Sequence, residues 1–275
     1  MTPSVLLDHR PGELRRVTSA ANEVVKAIRA LEQKKHREES GLFIAEGART
    51  VIEALELGAE IAAVAYLEAA GGEAHVARIA EAVARRGGLV LQVNREVLEK
   101  ISRRDNAQTV IGVFRQRWSA LADLPAAPRM LVLEEVRDPG NLGTVIRAAD
   151  ALGVGALVLV GDCTDPYGLD AVRASMGSIF AMPVAKAGRE AFLAWRRGVD
   201  ARMVGMHLKG AVDVREVAWG ARSLVVMGGE QRGLTAELAE ACDVLVRIPM
   251  AGRADSLNLA IATGITLFES VRGGA

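Results

Sequence analysis

Past residue 129 the chain repeats a pattern that few architectures accept. Short runs with almost no polar residue, "MLVLEE", "ALVLVG", "SLVVMG" and "VLVRIPM", alternate with stretches of helical periodicity such as "NLGTVIRAADALG" and "TAELAEAC". A strand with one solvated face alternates apolar and polar residues; these runs have no polar face and need cover on both sides. Strands alternating with helices supply that cover, so the pattern predicts an α/β domain built on a parallel sheet. Open sheets of this kind bind ligands at the carboxyl ends of their strands.

The stretch "RQRWSALADLPAAPRM" has two prolines, short side chains and little periodicity, as a linker would. It divides the chain into a first domain at 1–115, a linker at 116–128 and a second domain at 129–275. The first domain also alternates. "NEVVKAIRALEQKKHRE" reads as one amphipathic helix, "GLFIAEG" as a strand and "ARTVIEALELG" as a helix closed by Gly58. "IAAVAYL", "LVLQV" and "TVIGVF" read as strands, "EAHVARIAEAVARRGG" as a helix, and "NREVLEKIS" as a short helix capped by Asn94. A smaller α/β domain follows from this.

Charge and composition exclude several functions. Lys+Arg and Asp+Glu both number 34, so an RNA- or DNA-binding surface must be a local patch. The strongest local excess runs from Arg85 to Arg117, with eight basic and three acidic residues. Arg103 and Arg104 lie there in a loop. An RNA contact and a solvated face are equal readings of them. Two cysteines and four dispersed histidines suggest neither a disulfide framework nor a metal site. No apolar run reaches the ~20 residues of a membrane span, and no secretory leader is recognisable. A cytoplasmic protein is expected.

Three strand-to-loop junctions concentrate the chemistry. "VLEEVRDPGNLGTVIRAAD" carries Asn141 and Arg147; "LVVMGGEQRGLT" carries Gly228 and Glu230; "IPMAGRADSLNLAIATGITLFE" carries Ser256 and Asn258. Each has a structural reading, since turns need Gly and Pro and helix starts need caps. Three such junctions in one sheet favour a ligand site. A dinucleotide site would need G-x-G-x-x-G between a strand and a helix. The first junction offers only Gly140 and Gly143, and Gly153-Val154-Gly155 precedes a strand.

These three stretches, in this order and spacing, resemble the three motifs of the SpoU (TrmH) family of RNA ribose 2'-O-methyltransferases in the SPOUT superfamily. "DPYGLDAVRASMGSIFAMPV" also resembles the family, and "GLFIAEGARTVIEAL" resembles the RNA substrate-binding domain that many members carry ahead of the catalytic one. Thr109 stands where members often have Gly, which touches only the first domain. The resemblance implies a catalytic domain with a deep trefoil knot and a homodimer. It also implies a pocket for S-adenosylmethionine lined by Gly228, Ile248 and Leu257, with Met250 and Gly252 nearby, and no metal. The uncharged side chains suit an adenine and a positively charged sulfonium.

The same resemblance makes Arg147 the central catalytic residue, with Asn141, Glu230, Ser256 and Asn258 around it. A guanidinium is effectively always protonated, so gripping the adjacent phosphate and orienting the hydroxyl suits Arg147 better than acting as a base. Asn141 would orient Arg147 or the ribose, Glu230 would anchor the loops, and Ser256 and Asn258 would position donor and substrate, cap the last helix, or both. A domain ahead of the catalytic one fits members that modify ribosomal RNA more than those that modify tRNA. The alternative is a non-catalytic RNA-binding protein retaining the fold.

Overall fold

The computed structural model describes residues 3–272 and divides into two compact units. The first runs to Gln116 and takes in Tyr167–Phe180; the second comprises Arg117–Pro166 and the chain from Ala181 onward.

In the first unit β1 is Leu14–Val17, α1 Glu23–Ala30, α2 Lys34–Ser40, β2 Leu42–Glu46, α3 Ala48–Glu56 and β3 Ile61–Leu67. There follow α4 Ala74–Arg85, β4 Leu89–Val93, α5 Arg95–Ser102 and β5 Val110–Arg115. The sheet order is β1-β4-β3-β5-β2. β1, β4 and β3 are mutually parallel, whereas β5 runs antiparallel to both β3 and β2. Asn94 caps α5 as expected, its side chain accepting from Val97 N at 2.9 Å. The single helix expected near residues 22–38 is two. Arg37, 5 % exposed, donates to the carbonyls of Leu31 and Glu32. Those are backbone acceptors that the break between α1 and α2 leaves without helical donors.

The second unit holds β6 Trp118–Ser119, β7 Arg129–Glu134, α6 Pro139–Ala151 and β8 Leu157–Val160. The next helix, α7 Leu169–Ser175, belongs to the first unit. There Arg173 grips Glu46 through two bonds of 2.8 and 3.1 Å and donates to Ser102 O. Tyr167 and Phe180 pack on Phe43 beside it. The second unit resumes with β9 Val184–Ala187, α8 Arg189–Arg196, β10 Arg202–Met206, β11 Val212–Asp213 and β12 Ser223–Gly228. It ends with α9 Ala236–Ala241, β13 Val244–Arg247 and α10 Leu259–Arg272.

Its eight strands lie in the order β11-β13-β10-β12-β7-β8-β9-β6, and every pairing is parallel. The apolar runs therefore do what their composition required. Val132, Val158, Met203 and Val226 are buried with Phe192 of α8 and Leu238 of α9. From β7 the chain moves outward one way through β8 and β9, then crosses to build β10, β12 and β13 on the other side. That reversal opens a crevice at the carboxyl ends of β7 and β12. The last helix starts at Leu259 and buries Leu259, Thr263, Thr266 and Leu267.

Candidate active site

The loop after β7 is fixed by its own side chains. Asp138 caps α6, accepting from Asn141 N at 2.6 Å, and Pro139 occupies the first helical turn, where its missing N–H costs nothing. The loop after β12 is tighter. A Cβ on Gly228 would lie 2.0 Å from the Gly233 carbonyl carbon, and one on Gly229 would lie 2.6 Å from Glu135 O. Gly233 has φ +66° and donates its N–H to Gly229 O at 2.9 Å. The glycines of this loop thus make room for their own chain, a demand the sequence alone did not distinguish from room for a ligand.

Three of the five residues expected to carry the chemistry are joined. Glu230 accepts from the backbone N–H groups of Arg137 and Asp138 at 3.2 and 3.3 Å and from Asn141 Nδ2 at 3.1 Å. Asn141 Oδ1 in turn accepts from Asn258 Nδ2 at 2.9 Å. One hydrogen-bonded chain therefore ties the loops after β12, β7 and β13. Partial burial pushes the Glu230 carboxyl up, but the bonds from Asn141 and the loop N–H groups outweigh it and leave it below the ordinary carboxylate range. That is the expected result when hydrogen bonds favour the charged form.

Asn258 also answers the capping question. Its Oδ1 accepts from Ala260 N at 2.9 Å and Ile261 N at 3.4 Å, so it caps α10 while its Nδ2 reaches Asn141. Ser256 does neither. It is exposed, and its hydroxyl makes one long bond of 3.5 Å to Asp255. Thr263, also set in the apolar run, is buried and donates to Leu259 O at 2.7 Å.

Arg147 lies on the exposed side of α6, and among the described residues it makes no hydrogen bond or ion pair. It is not bonded to Asn141. Six residues along a helix face different sides, and the Asn141 amide is engaged at both ends by Glu230 and Asn258.

The stretch from Met250 to Leu257 is an open shelf. Met250 and Leu257 are each 36 % exposed, Ile248 is half-buried, and nothing lies within 4 Å of a Cβ placed on Gly252. Among the described residues, Met250–Leu257 makes no backbone hydrogen bond. Free peptide groups beside apolar side chains are what an adenosyl group can use. A cavity of about 680 Å³ opens in the first unit, bordered by His9, Glu60, Arg86 and Arg115. None of the three motif loops lines it. A cavity measures enclosure, whereas the chemistry-bearing groups gather at the open strand ends, so the site is placed there.

Arg103 and Arg104 are in the first unit. Arg103 ends α5 in a left-handed conformation, φ 55°, and pairs with Glu32. The Arg104 side chain is exposed and unpaired among the described residues. Sequence reasoning missed Glu134, fully buried at the end of β7, and its partners Thr235 and Arg189. The available signal was a carboxylate closing an otherwise apolar strand, since buried charges are seldom left unpaired.

Comparison with known proteins bears on the family and the fold. Residues 128–268 match the SpoU rRNA Methylase family, and residues 22–112 match the MRM3-like substrate binding domain. The chain is 27 % identical to the 23S rRNA (guanosine(2553)-2'-O)-methyltransferase RlmP of Bacillus subtilis, over 93 % of this chain and 99 % of that one. It is 33 % identical to the 23S rRNA (guanosine-2'-O-)-methyltransferase RlmB of Xylella fastidiosa, over 82 % and 94 %. Among solved structures, an AdoMet-bound rRNA methyltransferase from Sinorhizobium meliloti is 49 % identical with a TM-score of 0.89, covering 94 % of this chain and 98 % of that one.

Proposed function

The chain belongs to the SpoU rRNA methylase family, and on that footing we propose that it transfers a methyl group from S-adenosylmethionine to a ribose 2'-hydroxyl of ribosomal RNA. The observation that carries this reading is the hydrogen-bonded chain Asn258–Asn141–Glu230, which draws the three motif loops to one place. The described residues also fit the donor. Met250 and Leu257 offer apolar surface, the peptide groups of 250–257 have no partner of their own, and Gly252 leaves space. Gly228 and Ile248 border the same shelf in this reading.

S-adenosylmethionine, when bound, supplies a methyl group activated by a sulfonium. The chain's own residues supply position. Arg147, charged and unpaired, holds the phosphate next to the target ribose and aligns the 2'-hydroxyl; such fixing of reactants accounts for several kcal/mol of barrier. Because the guanidinium does not give up a proton at neutral pH, the hydroxyl proton leaves to that phosphate or to water as the ribose oxygen gains the methyl. Asn141 and Asn258 hold the loops that frame the ribose, Glu230 anchors them, and exposed Ser256 is placed to meet RNA.

The finer readings rest on the same footing. The first unit is the substrate-binding domain, a role supported by its family match, and it favours ribosomal RNA over tRNA. Arg104 is the better placed of the two loop arginines for RNA, because Arg103 is held by Glu32. We carry the trefoil knot over from the family resemblance, on the footing of the match at residues 128–268. A homodimer is supported by α10, whose Ile261, Ile265 and Phe268 form an exposed apolar stripe at helical spacing. Sedimentation of the full chain tests it, a clean monomer at micromolar concentration being the contrary result. Among the described residues no helix is long and apolar enough to cross a membrane; the likeness to 23S rRNA methyltransferases supports a cytoplasmic place beside its RNA.

The decisive experiment maps 2'-O-methyl groups in total RNA from cells with and without the gene, alongside transfer of labelled methyl to protein-free ribosomal RNA. A ribose site that loses its methyl without the gene and gains label with the protein supports the reading. Donor binding without transfer to any RNA would turn it toward a non-catalytic RNA-binding protein.

A further inference from the structure

Glu134 is the last residue of β7 and is fully buried. A buried carboxylate persists only where its oxygens are satisfied. Here Oε2 accepts from Thr235 N at 2.8 Å, and Oε1 accepts from Thr235 Oγ1 at 2.7 Å and Arg189 Nε at 2.9 Å. Arg189 spreads its other two nitrogens to Glu135 at 3.2 Å and Glu237 at 3.0 Å.

The place of this cluster gives it meaning. The sheet register sets Gly228, the last residue of β12, directly beside Glu134. The loop that leaves β12 at Gly228 returns to Thr235, which caps α9 through Leu238 N and is bonded to Glu134. Both ends of the loop thus meet one residue, the first through the sheet and the second through its carboxylate. Between them the Gly229–Gly233 bond pinches the loop, and a Cβ on Gly228 would strike the Gly233 backbone. From this closed ring Glu230 reaches the loop after β7.

We propose that Glu134, Thr235 and Arg189 are positioning residues for the loop 228–235, and that they set the protein's affinity for S-adenosylmethionine without taking part in methyl transfer. The proposal rests on the reading of that loop as a wall of the donor site. Thr235 couples two demands in one hydroxyl, which donates to Glu134 and accepts from Leu238 N. Arg189 holds three carboxylates in one planar fork, an arrangement a lysine ammonium does not reproduce. The cluster's bonds are made within the protein, and it acts by fixing where backbone lies.

The test compares Thr235→Val, Thr235→Ser and Arg189→Lys in the full-length protein. Three quantities are measured: S-adenosylmethionine binding by calorimetry, single-turnover methyl transfer at saturating donor, and thermal unfolding. Thr235→Val deletes the hydroxyl at constant shape and should raise the donor dissociation constant by ~10-fold, the scale of one lost charge-assisted hydrogen bond. Thr235→Ser should restore it to within ~2-fold, and the single-turnover rate should stay within ~3-fold in both. Arg189→Lys leaves the cap in place and should weaken donor binding by ~3-fold or more, deciding the matter alone if Thr235→Val fails to fold. Donor binding unchanged in folded Thr235→Val or in Arg189→Lys overturns the proposal. So does a loss of single-turnover rate at full donor affinity. Wild-type protein that binds no donor would overturn the donor-site reading itself, a result distinct from either.

Discussion

Asn258 Nδ2 donates to Asn141 Oδ1 across 2.9 Å, joining residues 117 positions apart, while the same side chain caps α10 through its Oδ1. The two duties are separable by substitution. Asn258→Asp keeps an oxygen able to cap but sets a carboxylate against the Asn141 oxygen. Asn258→Ala removes both. The aspartate variant should unfold within a few degrees of wild type yet transfer methyl ~10-fold or more slowly. The alanine variant should also lose about 1 kcal/mol of stability. Thermal unfolding and single-turnover transfer, measured together, check this. An aspartate variant of normal rate would make the Asn141 contact incidental.

Glu230 makes the loop anchoring pH-dependent. Its folded-state carboxyl lies below the ordinary range because three N–H donors favour the charged form against the effect of burial. A depressed carboxyl stabilises the fold fully above its unfolded value, about 4.3, and that stabilisation fades as pH falls through the lower folded value. The stability difference between wild type and Glu230→Gln should therefore be constant from pH 7 down to about 5 and shrink below that. Denaturant unfolding at stepped pH measures it. A gap that stays constant down to pH 3 would show that the charge on Glu230 does not matter to the anchor.

Arg129 concerns the last helix. It is 5 % exposed and, among the described residues, bonds to backbone carbonyls and to no carboxylate; burial pushes its pKa down. Its Nε donates to Ser270 O at 2.8 Å in the last turn of α10, and Nη1 donates to the carbonyls of Pro128, Gly220 and Ala221. A cation at a helix C-terminus is favoured by the dipole. Arg129→Met keeps the bulk and removes the donors, and should cost about 3 kcal/mol. Hydrogen exchange should quicken first in the final turn of α10. Uniform exchange along α10 would show that Arg129 does not pin its end.

What the sequence made legible follows burial. The long apolar strands and the Asn94 cap announce themselves because their residue types have one physical use. β1 (LRRV), β6 and β11 escape because they are short, partly exposed edge or near-edge strands with no continuous apolar run. β9 escapes because it follows a proline and carries Lys186. In the site, the motif residues stand out singly, but their joining does not. Glu230 meets Asn141 from 89 positions away, and no local periodicity encodes a contact at that distance. Glu134 is passed over for the opposite reason: a carboxylate closing an apolar strand reads as an ordinary strand end until its fully buried setting is seen.

Arg147 carries the sharpest expectation. It stands on the exposed side of α6, the helix that Asp138 starts and that Asn141 ties to the other loops. Among the described residues nothing pairs with it, so removing it breaks no internal bond. Arg147→Ala should accordingly unfold like wild type and bind S-adenosylmethionine with nearly the same dissociation constant. Methyl transfer should fall by at least ~100-fold, the scale expected when a positioning or charge-stabilising group is lost. Arg147→Lys separates charge from geometry. An ammonium keeps the charge but lacks the planar, two-pronged grip on a phosphate, so transfer should remain almost as impaired as in the alanine variant. Single-turnover transfer of labelled methyl, with donor binding measured in parallel, decides it. Near-normal rates in the lysine variant would make Arg147 a simple charge and refute the positioning mechanism.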